Sequence, residues 1–260
     1  MSYSEIKLSF REDFAVVTIN RPEKANCFTE KMYEEYAAAQ RELADNPQVR
    51  AIILTGAGDK AFCAGIDLSL LAKVNSEFVR KKIGILHQVH NGWENHPRPV
   101  IAAINGACIG AGMELALSCD IRIASDKAIF SIPEVRFGLA PDMGGTQRLA
   151  RLVGPGQAKR LILTGKRIDA REALNIGLVE EVVPADTLMS ESIKMANMIA
   201  NNAPLALTYA KKAINLASES SLAAGLLYEE MASTYCCGTE DKNEAMSSFF
   251  EKRPPKYEGK

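Results

Sequence analysis

The stretch PVIAAINGACIGAGMELALSCDIRIAS, residues 99–125, decides the fold of this chain. It begins with the apolar run VIAAI at 100–104, which is typical of a parallel strand covered on both faces. Small residues at 110–112 then form a turn that leads into an apolar helix with one carboxylate, Glu114. Burying an unpaired charge on such a helix costs roughly several kcal/mol, so we expect that Glu114 is present because it has a function. The free N–H groups at the start of the helix predict an anion site beside it.

Short β-branched strands and helices alternate on both sides of this stretch, which favours an α/β fold class with a mostly parallel sheet. The glycine-rich segment GAGDKAF at 56–62 lacks the ending of a phosphate-binding loop and is interpreted as a strand-exit turn. In this first half the patterns predict strands at 14–20, 50–55, 100–104, 120–124 and 128–132, and helices at 30–43 and 77–93.

After Pro141 the sequence changes to Ala- and Leu-rich helical segments, and the last third of the chain is almost purely helical in pattern. We place a soft boundary near residue 200, which divides the chain into a core unit at 1–200 and a helical unit at 201–260. The predicted helices in this half lie at 143–152, 155–163, 170–175, 187–201, 204–218, 221–237 and 240–251.

Composition excludes several classes of function. The 31 basic and 32 acidic side chains leave a net charge of -1, so we expect no nucleic-acid partner. The six cysteines form no CxxC pair, which is typical of a reducing compartment, and no apolar run predicts a membrane segment or leader, so we expect a cytoplasmic protein. His87 and His90 are three residues apart on a predicted helix but lack further ligands at suitable spacing, so no metal is expected.

Six segments, in this order and spacing, resemble the enoyl-CoA hydratase/isomerase, or crotonase, superfamily, and enoyl-CoA hydratases most closely. The resemblance implies a crotonase-like spiral of β-β-α repeats with a C-terminal helical trimerisation region at 201–260, and a homotrimer or a dimer of trimers. It also implies acyl-CoA thioester substrates, so coenzyme A is part of the substrate and no separate cofactor is expected. The segments are NRPEKAN (20–26), AFCAGIDL (61–68), the stretch at 99–125, FSIPEVRFGLAPDMGGTQRL (130–149), LTGKRIDAREALNIGLVEEVV (163–183) and FFEKRPP (249–255).

The chemistry of an α,β-unsaturated thioester explains why these residue types are needed. Negative charge develops on the thioester oxygen, so catalysis requires two fixed donors there, and the resemblance assigns the backbone N–H groups of Ile66 and Ala111. Adding water requires one group that activates it and one that protonates the α-carbon, which two carboxylates can do. By resemblance, Glu114 positions or deprotonates the water and Glu134 is the proton donor.

We therefore predict an enoyl-CoA hydratase, a hydro-lyase of fatty acid metabolism that converts the 2,3 double bond of an enoyl-CoA into a 3-hydroxyacyl-CoA. Either glutamate could instead be structural and pair with Arg122 or Arg136. Asp142 is a possible third carboxylate, and it keeps open a dienoyl-CoA isomerase or a hydratase of dienoyl or cyclic enoyl thioesters; its alternative role is that of a helix N-cap. A non-catalytic acyl-CoA-binding homologue is a further alternative.

The resemblance also implies a set of coenzyme A contacts, because the phosphates need cationic partners and the pantetheine needs a groove. The acyl pocket is expected between the helix around 70–93 and the segment after Glu134, and the sequence leaves acyl length, ring structure, pathway and direction open. The residues implied in coenzyme A binding are Lys24, Ala25, Ala64, Gly65, Asp67, Phe249 and Lys252, the last from a neighbouring subunit.

Overall fold

A computed structural model describes residues 3–260, and two sheets organise them. The six-stranded sheet has the order β1-β2-β3-β5-β7-β10, and the four-stranded sheet has the order β4-β6-β8-β9. The pairs β1–β2 and β8–β9 are antiparallel, whereas the other pairs are parallel. The strands are β1 (Ile6–Phe10), β2 (Phe14–Ile19), β3 (Ala51–Gly56), β4 (Ala61–Cys63), β5 (Val100–Ile104), β6 (Ala107–Ile109), β7 (Ile121–Ser125), β8 (Ile129–Ser131), β9 (Ile168–Asp169) and β10 (Glu181–Val183).

Successive strand pairs build the architecture by repetition. In β3–β4, β5–β6 and β7–β8, the first strand joins the large sheet and the second joins the small one. Strands β3 and β5 are buried at every residue, as their uniformly apolar sequences predict for strands covered on both faces. This arrangement confirms the α/β class and the predicted spiral of β-β-α repeats.

Helices connect and cover the sheets. The predicted bounds of α6 and α10 are confirmed to the residue, and the others agree within a few residues. Two predicted helices, at 143–152 and 155–163, form one kinked helix, because Gly154 has φ 78° and ψ 157° and Pro155 follows it. The helices are α1 (Glu30–Asp45), α2 (Leu68–Leu71), α3 (Ser76–Glu94), α4 (Ala111–Leu117), α5 (Gly145–Thr164), α6 (Ala170–Asn175), α7 (Leu188–Ala200), α8 (Pro204–Ala217), α9 (Leu222–Cys237) and α10 (Glu240–Glu251).

Several short elements were not predicted. Strands β4 and β6 have three residues each, too few for a periodic pattern, and β6 lies in a segment that the sequence assigned to a turn. Strand β9 lies between two predicted helices, and β10 falls in the last third of the chain, so the expectation that this third is almost purely helical is wrong for residues 181–183. The segment 57–60 is the predicted strand-exit turn between β3 and β4.

The last three helices differ in how closely they join the core. In α8, the buried Lys211 donates to Asp120 Oδ2 at 2.7 Å, and Thr208 Oγ1 donates to the carbonyl of Pro97 at 2.9 Å. Helix α9 has no buried residue. The boundary near residue 200 stays a prediction. Within residues 3–260, no helix is both long enough and apolar enough to span a bilayer.

Candidate active site

A cavity of about 370 Å³ lies between the loops of the four-stranded sheet and helices α2 and α3. One side is formed by the loop after β4, the first turn of α4 and the short 3₁₀ helix Glu134–Phe137 after β8. The other side is an apolar wall from α2, α3 and the segment that joins them. The residues of this apolar wall are Leu68, Leu71, Val74, Phe78, Val79, Ile83 and Leu86.

The direction of the Ile66 N–H is set by hydrogen bonds between its loop and Phe28. The N–H of Phe28 donates to the carbonyl of Gly65 at 2.8 Å, and the N–H of Asp67 donates to the carbonyl of Phe28 at 3.0 Å. In a trans peptide, C=O and N–H point in opposite directions, so the Ile66 N–H points away from Phe28. Gly65 has φ +101°, and an added Cβ there would lie 3.9 Å from the Ala111 nitrogen. The two amides assigned by resemblance therefore lie side by side, on the wall of the same cavity.

The Ala111 amide is the first of helix α4, and glycines on each side of it allow this position. Gly110 precedes the helix at φ 54° and ψ -124°, where an added Cβ would lie 2.7 Å from Glu134 Oε1. An added Cβ on Gly112 would lie 2.1 Å from the carbonyl oxygen of Cys63, so only glycine lets α4 pack on β4. Within residues 3–260, neither the Ile66 N–H nor the Ala111 N–H has a hydrogen-bond acceptor.

Glu114 is held under the beginning of helix α5. Its side chain is 1% exposed, and its Oε1 accepts from the N–H groups of Met143 at 2.9 Å and Gly145 at 2.8 Å. Its Oε2 is buried and has no partner among the described residues. The pKa of Glu114 is raised to about 7, chiefly by burial; the hydrogen bonds from Gly145 and Met143 oppose the rise, and the negative charges of Glu134 and Asp142 add to it.

Glu134 begins the 3₁₀ helix that follows β8 and Pro133, and its side chain lines the cavity. Its Oε2 is buried and lacks a partner among residues 3–260. Desolvation raises the pKa of the Glu134 carboxyl, and the charge of Asp142 adds to this effect. Glu134 therefore lines the cavity together with the two free amides, and Glu114, which does not line it, is close enough for the charge of Glu134 to raise its pKa.

Neither glutamate has the structural ion pair that the sequence left open. Arg122 pairs with Glu180 at 2.5 Å, and Arg136 donates to the carbonyl of Thr164 at 3.0 Å and 3.2 Å.

Asp142 lies at the cavity wall, but it is not a helix N-cap as the sequence allowed. Helix α5 begins at Gly145 with Gly144 as its N-cap, and the helix-start amides of residues 143 and 145 bond to Glu114 instead. The carbonyl oxygen of Asp142 lies 2.5 Å from Nε2 of His87, a residue that the sequence considered only as a metal ligand. Desolvation raises the pKa of the Asp142 carboxyl, and the nearby His87 opposes the rise. Within residues 3–260, no group of three or more His, Cys, Asp or Glu side chains could hold a metal ion.

The residues implied in coenzyme A binding fall into three groups. Ala64 and Gly65 line the cavity, and Ala25 is next to them because its carbonyl accepts from the Ala64 N–H at 3.1 Å. Asp67 is implied through its backbone and does not line the cavity, and its side chain accepts from Arg21, Ser69 N and Ser69 Oγ. The exposed Lys24, Phe249 and Lys252 do not line the cavity of their own chain.

Sequence reasoning missed the groups that hold Glu114. These are backbone amides, which carry no residue signature of their own, but the glycine pair 144–145 gives an indirect signal. An added Cβ on Gly145 would lie 2.8 Å from Glu114 Oε1, so a side chain there would displace the carboxylate. Met143 is further fixed because its Sδ accepts from the buried Tyr33 hydroxyl at 3.0 Å.

Comparisons with known proteins show which family this chain resembles in sequence and fold. The sequence model of the enoyl-CoA hydratase/isomerase family matches residues 9–260. The short-chain-enoyl-CoA hydratase of Clostridium acetobutylicum is 45% identical over 100% of this chain and 98% of its own, and the crotonyl-CoA hydratase of Syntrophomonas wolfei is 39% identical over 99% of each chain. The solved structure of an enoyl-CoA hydratase from Bacillus anthracis has a TM-score of 0.96 at 41% identity and covers 99% of this chain and 100% of its own.

Proposed function

Since the chain belongs to the enoyl-CoA hydratase/isomerase family, we propose that it is an enoyl-CoA hydratase, which adds water across the 2,3 double bond of an enoyl-CoA thioester. The observation that carries this function is a pair of buried carboxylate oxygens, Glu114 Oε2 and Glu134 Oε2, which have no partner among residues 3–260. Glu134 lines the same cavity as the unbonded amides of Ile66 and Ala111, and Glu114 lies beside that cavity, hydrogen-bonded to the lining residue Met143. Four unpaired groups of this kind suit a substrate that brings one oxyanion and one water molecule.

The amides act on the thioester oxygen in this proposal. When water adds to the β-carbon, the electron pair of the double bond moves toward the thioester and negative charge develops on its oxygen. The N–H groups of Ile66 and Ala111 stabilise that charge because their directions are already fixed by the loop pairing and by the helix start. Fixed donors need no reorganisation during the reaction, which is the source of their catalytic effect.

The carboxylates act on the water and on the α-carbon. Glu114, held by two amides at Oε1, uses its free Oε2 to position the water and take its proton. Glu134 donates a proton to the α-carbon. A pKa of about 7 for Glu114 suits a general base at neutral pH, and the raised pKa of Glu134 favours the protonated form that a proton donor needs.

The apolar wall of α2 and α3 takes the acyl chain. A cavity of about 370 Å³ is at the small end of ligand pockets, which supports a short acyl chain. The names of two relatives, short-chain-enoyl-CoA hydratase and crotonyl-CoA hydratase, support the same substrate class. Such thioesters belong to fatty acid metabolism, and the free cysteines of this chain support a reducing, cytoplasmic location.

A neighbouring copy of the chain completes the coenzyme A site in this proposal. Helices α9 and α10 carry large exposed apolar side chains, among them Leu222 at 78% and Phe249 at 74% exposure. Apolar exposure on this scale is typical of an oligomer interface and supports a trimer or a dimer of trimers. Lys252, at the end of α10, would then reach the nucleotide phosphates bound to the next subunit.

Turnover of crotonyl-CoA tests the function, because hydration removes the conjugated absorbance of the thioester. We expect the absorbance to fall with the wild-type protein. For Glu134→Gln we expect turnover at least about 100-fold lower with little change in KM, the pattern of a group that acts in the transition state. The control is Glu12→Gln, an exposed residue in the turn between β1 and β2, which should keep wild-type turnover. Unchanged absorbance with the wild-type protein would identify an acyl-CoA binder, and a fully active Glu134→Gln would remove the proton-donor role.

A second candidate, dienoyl-CoA isomerase, is favoured by one observation. Asp142 lines the cavity together with Glu134, and its charge affects both glutamates. A carboxylate pair on either side of a conjugated chain could move a proton between distant carbons. With a 3,5-dienoyl-CoA, isomerisation would produce a longer conjugated chromophore that absorbs at longer wavelength. A hydratase would not produce this absorbance band.

A further inference from the structure

Arg21 joins the two segments that direct the Ile66 amide. Its Nη1 donates to the carbonyl of Cys27 at 2.6 Å, and its Nη2 donates to Asp67 Oδ2 at 3.2 Å. The Arg21 side chain is 16% exposed and the Asp67 side chain 18%, so the pair is largely covered by protein. A third partner, Glu5, lies 3.6 Å from Arg21 Nε. Neither Arg21 nor Asp67 lines the cavity.

The backbone pairing between residue 28 and residues 65–67, on either side of which Arg21 binds, is short. Only two backbone bonds connect residue 28 to residues 65 and 67, and this bridge stands outside the named strands. The carbonyl of Cys27 lies just before this bridge, and the carboxylate of Asp67 lies at its far end. A guanidinium has its donors in a rigid planar fork, so it can hold both sides at a fixed separation.

The direction of the Ile66 N–H depends on this separation. The Gly65–Ile66 peptide is anchored only through the carbonyl of Gly65, and rotation of that peptide plane would turn the opposite N–H away from the cavity. Gly65 has φ +101° and no side chain, so its own backbone offers little resistance to such a rotation.

We propose that Arg21 and Asp67 are positioning residues that hold the Ile66 N–H toward the thioester oxygen. This inference rests on the proposed hydratase function. Arg21 acts through Cys27 and Asp67 without touching the substrate. Asp67 has two separate tasks, because Oδ1 caps α2 through Ser69 while Oδ2 binds Arg21.

The separate tasks of the two carboxylate oxygens allow a sharp test. Asp67→Asn keeps an oxygen to cap α2 but presents an NH₂ group to the guanidinium, so it breaks the bridge alone. Arg21→Lys keeps the positive charge but has a single ammonium, which cannot reproduce the fork. The matched control is Arg160→Lys, whose ion pair with Glu172 at 2.7 Å lies away from the cavity.

Three measurements on the full-length protein decide the question: kcat and KM with crotonyl-CoA, the melting temperature, and the absorbance of bound cinnamoyl-CoA. Donors at the thioester oxygen polarise the cinnamoyl carbonyl and shift its absorbance to longer wavelength, so this shift reports on the oxyanion donors without turnover. We expect both variants to lose about 10- to 100-fold in kcat with little change in KM, and to lose most of the shift. Arg160→Lys should keep all three.

Each other outcome overturns the inference. A normal shift and normal kcat in both variants would mean that the bridge does not position the amide. A raised KM with unchanged kcat would assign Arg21 to coenzyme A binding, and a lower melting temperature with an intact shift would assign it to stability alone. If the wild-type protein itself fails to hydrate crotonyl-CoA, the proposed function fails, whereas the cinnamoyl-CoA shift still tests the positioning role.

Discussion

The substitution Glu114→Gln should stabilise the folded protein at alkaline pH while it removes activity. Glutamine has the shape of glutamate and keeps an oxygen that accepts from the N–H groups of Met143 and Gly145. It removes the negative charge from a side chain that is 1% exposed and whose Oε2 lacks a partner among the described residues. The variant therefore separates the cost of the buried charge from the packing around it.

The size of the effect follows from the pKa of Glu114, which burial raises from 4.5 to about 7. The folded state holds its proton more tightly than the unfolded state, so stability falls as pH rises from about 4.5 through about 7. Since one pH unit corresponds to ~1.36 kcal/mol, the full cost above pH 7 is about 3 kcal/mol. Below the unfolded pKa both states are protonated and the charge contributes nothing.

Guanidinium unfolding at about pH 4.5 and about pH 8, at one protein concentration, measures this difference. We expect the free energy of unfolding of Glu114→Gln to match the wild type at the acidic pH and to exceed it by up to about 3 kcal/mol at the alkaline pH. Glu12→Gln, which removes an exposed charge, should show no pH-dependent difference. A stability difference that is the same at both pH values, or a variant less stable than the wild type at alkaline pH, would refute the buried-charge argument.

Activity should depend on pH in the same range. Because Glu114 must be ionised to activate water, kcat/KM for crotonyl-CoA should decrease as the pH falls below about 7, the pKa of Glu114. A flat profile of kcat/KM between about pH 5.5 and 8 would contradict the base role. Gly110→Ala should lower kcat about 100-fold, because its Cβ would lie 2.7 Å from Glu134 Oε1 and would displace that carboxylate. The control Gly138→Ala is also at positive φ but has open space around it, so it should lower only the melting temperature. Equal losses of kcat in both variants would exclude displacement of Glu134 as the cause. In Lys252→Asn the charge is removed, while asparagine tolerates the left-handed backbone at φ 56°. If Lys252 binds a phosphate of coenzyme A, KM should rise about 10-fold with unchanged kcat. An unchanged KM would show that the lysine does not bind a phosphate.

Hydrophobic patterns predicted the longer helices and four of the six strands of the large sheet, β2, β3, β5 and β7, because these depend on runs long enough to show a period. The runs at 14–20 and 100–104 became β2 and β5, and the amphipathic run that begins at residue 30 became α1, which Thr29 caps. The small sheet was mostly missed, since β4 and β6 are three-residue segments that pair only because the repeats bring them together. An added Cβ on Gly106 would lie 2.4 Å from the carbonyl oxygen of Lys60, and a single sequence cannot reveal that close approach.

The candidate site was predictable where it depends on side chains. Glu114 stood out as a lone carboxylate in an apolar helix, and the resemblance supplied Glu134 and the residue numbers of the two amides. The support around them was not predictable, because it consists of backbone groups and of tertiary contacts. The assignment of a capping role to Asp142 failed for this reason: the helix-start amides are used by Glu114, which is 29 and 31 positions away from them in the sequence.

The different supports of the two glutamates bear on which one is the base. In Glu114, two amide donors occupy Oε1, so the only oxygen free to accept a proton from water is Oε2, and its direction is fixed by the same bonds. Amide donors favour the ionised form, which a base requires before the reaction. Glu134 lies at the start of a 3₁₀ helix, and desolvation raises its pKa with the charge of Asp142 adding to the rise. Desolvation raises the pKa of both glutamates, to about 7 in Glu114, and the charge of Asp142 adds to the rise in both, so we infer that the base role of Glu114 follows from the two backbone donors that fix its free Oε2.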